Sequence, residues 1–325
     1  MHRRMKDINF LGNRNIMFII SAVFIVITIA VVAFRGLNFG IEFTGGTSIA
    51  FNNVGDIDIA DMRSAFDETD ETEVVIQTVV SNGEPGFLVR TSQTNPDVAA
   101  AEAQQIAERF GLPTDSYQVT TIGPDWGGNI TRSSIMAFFV SIIAIVIYIA
   151  WRFQFKMGVM AVVALFHDLI IVIGIYAIVG REITPNVIAA LLTILGYSLY
   201  DTVVVFHRIV DNAEEGKMKC SLMKLANHSI NQVFIRTVNT ALAQLIPVLV
   251  LLFFGGETLK DFAFAMAIGL VCGAYSSIAI STPLYVLWKE REPKYAKLKK
   301  RYPDDLPSTR RRKQLEREAA AAQVQ

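Results

Sequence analysis

Hydrophobic residues in this chain mostly run on without the alternation or stripes of a soluble fold. Six stretches near 20 residues are apolar almost throughout: Asn15–Phe34, Ser133–Trp151, Met157–Gly180, Val187–Phe206, Thr237–Gly255 and Phe262–Trp288. A helix rises about 1.5 Å per residue, so roughly 20 residues cross a hydrocarbon core about 30 Å thick. The runs predict six transmembrane helices. The first does not read as a cleavable leader, because its apolar part is longer than a signal peptide's and no A-x-A site follows.

Between the first and second runs the period changes. GTSIAFNNV alternates like a strand, and DIADMRSAFDET places Ile59, Met62, Ala65 and Phe66 at helical spacing. EVVIQTVV and GFLVRTSQ read as strands split by the turn SNGEPG. PDVAAAEAQQIAERFG opens on Pro and closes on Gly around a helical pattern, and YQVTTI is a last strand. The order βαββαβ is the ferredoxin-like pattern, a fold that hosts many functions and identifies none. The predicted class is an α-helical membrane protein with six transmembrane helices. One α+β ferredoxin-like domain lies between helices one and two.

The expected division is residues 1–14 before the membrane, 15–35 as the first span, 36–131 as the domain, 132–288 as spans two to six, and 289–325 as a basic tail. The stretch Val210–Ile235 reads as a separate amphipathic helix after the fourth span. The tail reads as a surface helix that frays, and its RRRK cluster fits contact with anionic lipid or the ribosome, or simple positive-inside anchoring.

Charge orients the spans. Net charge is zero, but residues 35–131 hold 4 Arg, no Lys and 15 acids, whereas residues 289–325 hold 12 Lys plus Arg against 6 acids. Short loops rich in Lys and Arg stay in the cytoplasm. Both termini, the Arg152/Lys156 loop and the Arg208–Lys224 loop are therefore placed inside, and the acidic domain outside. Nothing in this sorting points to nucleic acid. The two cysteines, Cys220 in a loop and Cys272 in the last span, are too far apart in this layout for a disulfide or a thiolate metal site.

Three spans carry groups that lipid rejects. His167 and Asp168 fall near the centre of the third, and Tyr197, Ser198 and Asp201 in the fourth. Arg236, Thr240 and Gln244 form an i, i+4, i+8 stripe opening the fifth. A carboxylate at mid-bilayer costs at least ~2.5 kcal/mol on insertion scales, so each needs a partner, water or a function. Arg236 at the cytoplasmic start of its span is expected to face Asp201. Burial and a nearby cation act on a carboxylate in opposite directions, so such an acid can change protonation state when one of them moves. The other reading is a fixed ion pair that sets helix register. Asp168 beside His167 reads equally as a helix-packing group, His207 as an interfacial side chain, and Tyr197 as a group that satisfies Asp201. Two acids on adjacent spans also suggest an intramembrane aspartyl protease. The G-x-G-D motif is missing, however, and FHDL precedes the YD of Tyr200–Asp201 where the second acid should follow it.

Four ordered motifs carry a resemblance over nearly the whole chain. GLNFGIEFTGGT (36–47), ALFHDLIIVIGIYAIVGREIT (164–184), GYSLYDTVVVFHRI (196–209) and SINQVFIRTVNTAL (229–242) resemble the SecF family, which belongs with SecD to the RND superfamily. The resemblance implies a multi-pass subunit of the bacterial cytoplasmic membrane, an RND-type half that pairs with SecD beside the SecYEG channel. After ATP-driven insertion by SecA, such a complex uses the proton gradient to draw unfolded preprotein outward. It implies no enzyme activity and no cofactor beyond coupling protons. Asp201 then matches the family's main proton-linked acid, Arg236 the Arg of its IRT segment, and Asp168 the acid of its HD pair. Two departures stand out: Glu42 replaces the usual Asp of GIDFTGG, and His207 replaces a frequent Asp. An imidazole at the cytoplasmic mouth is expected to alter proton entry. Gly40, Gly45 and Gly46 allow tight or left-handed backbone, as a hinge or as a rigid corner. A half-exporter of small molecules or lipids is the alternative function.

Overall fold

The computed structural model describes residues 8–69, 74–81, 84–214 and 220–302; HRRMK, the turn residues Asn82 and Gly83, and RRRK lie outside them. The elements in chain order are α1 (Arg14–Arg35), β1 (Asn38–Phe39), α2 (Ile41–Thr44), β2 (Gly46–Phe51), α3 (Ile59–Asp67), β3 (Val75–Ser81), β4 (Glu84–Thr91), α4 (Pro96–Arg109), β5 (Tyr117–Ile122) and α5 (Pro124–Arg152). They continue with α6 (Phe155–Val179), β6 (Glu182–Ile183), α7 (Pro185–Glu214), α8 (Leu222–Phe254), α9 (Glu257–Ser276), a π-helical turn (Ser277–Ser281), α10 (Thr282–Lys289) and α11 (Pro293–Arg301). Two compact units result: residues 38–140 with 182–188, and the remaining helical residues.

In the first unit β2 to β5 form an antiparallel sheet in the order β3-β4-β2-β5. Alternation puts Ile49, Phe51, Phe87, Val89 and Ile76 on the face that packs with Met62 and Phe66 of α3 and Ala103 and Ile106 of α4. Helix α4 starts where the sequence signals it. Asn95 Oδ1 accepts from the Asp97 N–H at 3.0 Å, Pro96 fills the first turn, and Gly111 past the end is left-handed (φ +66°). A parallel ladder of two residues, Asn38–Phe39 on Glu182–Ile183, joins the connection after α6 to this unit. It is too short to leave a sequence pattern.

The glycines of the GIEFTGGT stretch divide their tasks. Gly45 and Gly46 have φ +75° and +115°, and a Cβ on Gly46 would stand 2.4 Å from the Thr91 carbonyl oxygen. Gly40 was expected to supply the same freedom. Its φ of −67° is ordinary, and its need is space, because a Cβ there would meet Glu42 Oε2 at 2.3 Å. That Glu42 oxygen is buried without a hydrogen-bond partner among the described residues.

Among the described residues, six helices are long and apolar enough to cross a membrane: Leu11–Arg35, Asp125–Arg152, Phe155–Val179, Pro185–Glu214, Leu222–Phe254 and Leu259–Lys289. The second begins before Ser133 because Pro124 and Asp125 supply a helix-starting first turn. Among the described residues of Val210–Ile235 the expected separate helix does not form. The first residues of that stretch end α7, and residues from Leu222 onward begin α8, capped by Ser221 Oγ, which accepts from Lys224 N. The last span is interrupted. Pro283 has no N–H to give, the helix widens into the π turn, and Ser281 Oγ and Thr282 Oγ1 donate to the Ser277 carbonyl at 2.9 and 2.8 Å.

Helix α6 lies at the centre of the helical unit, with α1, α9 and α10 packed on it. Small residues set the close approaches: a Cβ on Gly174 would stand 1.9 Å from Thr28 Oγ1 of α1. One on Gly269 would meet Ile194 Cδ1 at 2.3 Å, and one on Gly273 would meet Ser198 Cβ at 3.0 Å. Gly269 and Gly273 form a G-x-x-x-G step that brings α7 against α9.

Candidate functional site

Asp168 is the fourteenth residue of the 25 in α6 and is fully buried. Its Oδ2 accepts from Ser198 Oγ of α7 at 2.5 Å and from Ser276 Oγ of α9 at 2.8 Å; its Oδ1 lies 3.0 Å from His167 Nδ1. Three helices thus converge on one carboxylate. The close approach at Gly273 is what lets Ser198 reach it. His167 Nε2 is buried without a hydrogen-bond partner among the described residues, and its ring lies at a tilt to Tyr275, 6.3 Å between centroids. Tyr275 Oη donates to the Met17 carbonyl at 2.9 Å and lies 3.2 Å from Ser21 Oγ, which ties α1 to the cluster.

Asp201 stands apart. It is 8% exposed, and among the described residues its side chain makes no hydrogen bond or ion pair. The direct Asp201–Arg236 pair read from the sequence is not formed. The guanidinium of Arg236 donates from Nη2 to the hydroxyl of the preceding residue, Tyr200, at 3.1 Å, and remains within electrostatic reach of Asp201. The physical reason is rotation about the helix axis: consecutive residues point about 100° apart, and the Tyr side chain is long enough to take the cation first. Tyr197 does not satisfy Asp201; it is half-exposed and unbonded among the described residues.

Of the remaining expected residues, Thr240 Oγ1 donates to the Arg236 carbonyl at 2.8 Å, and Gln244 continues the same stripe. His207 packs edge-on against Phe153, 5.4 Å between ring centroids. The next residue, Arg208, donates from Nε to Gln232 Oε1 at 2.6 Å, and Asn212 Nδ2, one turn further, donates to the same oxygen at 2.9 Å, which ties the end of α7 to α8. Sequence reasoning missed Ser276, Ser277 and Thr202. Thr202 Oγ1 and Ser277 Oγ lie 3.0 Å apart and are buried. The run SSIAIST before Pro283 was the available signal. It also missed the ion pair between Arg90 Nε and Glu182 Oε1 (3.0 Å) in the sheet unit.

Apolar helices enclosing carboxylates and hydroxyls, with a separate sheet unit, define an integral membrane protein with polar chemistry inside its bundle. A family described as "Protein export membrane protein SecD/SecF, C-terminal" matches residues 103–291, and the "SecD/SecF GG Motif" matches residues 30–50. The chain is 37% identical to the protein translocase subunit SecF of Desulfurispirillum indicum, over 93% of this chain and 98% of that protein. To the Streptomyces coelicolor subunit it is 34% identical, over 93% and 82%. Among solved structures it is similar to SecDF of Thermus thermophilus, a translocon-associated membrane protein, with a TM-score of 0.79 and 33% identity, covering 90% of this chain and 40% of that one. SecDF in a super-membrane-facing form gives 0.65 and 32%, covering 92% and 41%. The chain spans about two fifths of those SecDF chains. It belongs to the SecD/SecF family of protein export membrane proteins, among the SecF translocase subunits.

Proposed function

We propose that the chain is the SecF half of a proton-driven export complex in the bacterial cytoplasmic membrane, and that it pairs with a SecD half. Asp201 carries this reading: a carboxylate sheltered inside an apolar helix, without a partner among the described residues, one residue from the Tyr200 that holds Arg236. An unpartnered acid at that depth is costly and persists for a function. Proton binding at Asp201 removes its charge from the field of Arg236. The Arg236–Tyr200 contact then rearranges, α7 and α8 shift, and release of the proton to the cytoplasm resets them. No enzyme chemistry and no cofactor beyond the proton enters this cycle.

The unit built on β2 to β5 is ferredoxin-like and lies on the extracytoplasmic side, where its acidic character placed it, with both termini in the cytoplasm. A polar face supports the need for a SecD half: Thr193, Tyr197, Tyr200, Arg236 and Asn239 are all exposed on α7 and α8 at positions within the spans. Lipid cannot satisfy these groups, whereas a second polar helix bundle can. SecYEG is the channel the pair serves, with SecA acting beforehand, an unfolded preprotein as substrate and membrane lipid around the outer helices. No observation favours the small-molecule exporter.

The test is export driven by a proton gradient into vesicles carrying SecD and this chain. Asp201→Asn and Arg236→Met each abolish the proton-dependent part while insertion and SecD binding persist. Full export by a stably inserted Asp201→Asn chain contradicts the proposal.

A further inference from the structure

Asp168 holds partners from two other helices, and the proton cycle at Asp201 gives them no task. Two serines from different helices end on the same oxygen, Ser198 Oγ at 2.5 Å and Ser276 Oγ at 2.8 Å from Oδ2. One turn along α7 a second tether forms, Thr202 Oγ1 to Ser277 Oγ at 3.0 Å. Ser198 and Thr202 are i and i+4, so they share one face of α7. Ser276 and Ser277 are consecutive at the junction of α9 and the π turn, and both hydroxyls also meet the Gly273 carbonyl, at 3.3 and 2.8 Å. All four hydroxyl residues are buried to within 2% of complete.

Two tethers on one face fix a helix's rotation about its own axis. Asp201 and Tyr200 lie between the tethered residues in sequence and are presented on other faces, since each residue turns the helix by about 100°. Rotation of α7 therefore decides whether Tyr200 and Asp201 meet α8 at Arg236. The groups around Asp168 also suit a structural task. Oδ2 accepts hydroxyls from two other helices and Oδ1 lies against His167 Nδ1, so any change at this carboxylate disturbs several contacts at once. The titratable neighbours are His167 on its own helix and Cys272 and Tyr275 on α9; no arginine or lysine pairs with it among the described residues.

We infer that Asp168, Ser198, Thr202, Ser276 and Ser277 form an anchor that sets the rotation of α7, making Asp168 a positioning residue rather than a carrier of the coupled proton. The inference rests on Asp201 as the proton-linked acid. It deepens that reading by naming what aims Asp201 and by removing Asp168 from the relay.

Two measurements on the full chain with SecD test it. The first is oxidative cross-linking of Tyr200→Cys to Arg236→Cys in a Cys220→Ser, Cys272→Ser background. Adding Asp168→Asn or Thr202→Val lowers the yield about fivefold, the population shift expected from losing roughly one net hydrogen bond. Thr202→Ser, which keeps the hydroxyl, restores it. The second is the pH profile of proton-driven export. Asp168→Asn and Thr202→Val lower its amplitude and leave its midpoint unmoved. An unchanged cross-link in both variants overturns the anchor, and a displaced midpoint in Asp168→Asn returns that acid to the relay. If the Asp201 reading fails instead, export survives Asp201→Asn while the cross-linking results stand, so the two failures are distinguishable.

Discussion

Around Asp168, side chains from three helices close on one carboxylate; around Asp201, one turn away along α7 from Ser198, none do among the described residues. Both acids sit in apolar spans and both are buried, so burial does not distinguish them. Supply of donors does. An acid whose lone pairs are filled from several helices holds those helices together, because freeing it leaves every donor unsatisfied. An acid left with an arginine nearby and no donors can gain or lose its proton without breaking a network.

The largest effects come from neutralising each acid in turn and reading function and stability separately. Asp201→Asn abolishes proton-dependent export and leaves thermal stability in detergent unchanged or slightly raised. Asp168→Ala does the reverse in emphasis. It strands Ser198, Ser276 and His167, and a melting experiment should read a loss of about 3 kcal/mol. Equal stability losses from the two variants would erase the distinction.

A smaller effect comes from the backbone approach that builds the Asp168 cluster. Gly269→Val drives a side chain into Ile194, and overpacking of this kind costs roughly 1–3 kcal/mol. Gly273→Ala, whose Cβ meets Ser198 at 3.0 Å, costs less and lowers export through the same helix pair. At His207 the ring's edge-on contact with Phe153 predicts that His207→Asn slightly lowers stability. If the imidazole also governs proton entry, the same variant shifts the pH profile of export, which the vesicle assay reads directly.

The smallest effect lies in the sheet unit, far from either acid in sequence. Glu68 receives two hydrogen bonds from Arg109, at 2.5 and 3.0 Å, and these with the Arg109 charge hold its carboxyl below the ordinary range. A carboxyl lowered on folding stabilises the fold above its unfolded pKa, and that contribution is lost as pH falls through the lower, folded value. Glu68→Gln therefore trims stability at neutral pH and flattens the loss on acidification. The effect is slight because the pair is exposed and screened, and export is untouched.

Much of this architecture was legible because its signals are long or periodic. Twenty-residue apolar runs left few choices for the spans. The alternation of Ile49 and Phe51, and the helical spacing of Met62, Ala65 and Phe66, located the sheet unit's core. Rotation was not legible. Spacing could put Asp201 and Arg236 at matching depths, but the angle at which α7 meets α8 gave the cation to Tyr200. Nor could spacing rank the acids, since Asp168 gets its donors from residues 30 and 108 positions away. Ser276 and Ser277 looked like small residues in an apolar run until the π turn and Gly273 placed them. The β1–β6 ladder and the Arg90–Glu182 pair depend on a chain return that no local pattern encodes.

The most direct test is a pH titration of the purified full chain by difference infrared spectroscopy, following the C=O stretch of protonated buried carboxyls. A band that titrates in the parent chain, vanishes in Asp201→Asn and persists in Asp168→Asn is the predicted result. A band that survives Asp201→Asn and vanishes in Asp168→Asn would contradict the assignment of the proton to Asp201.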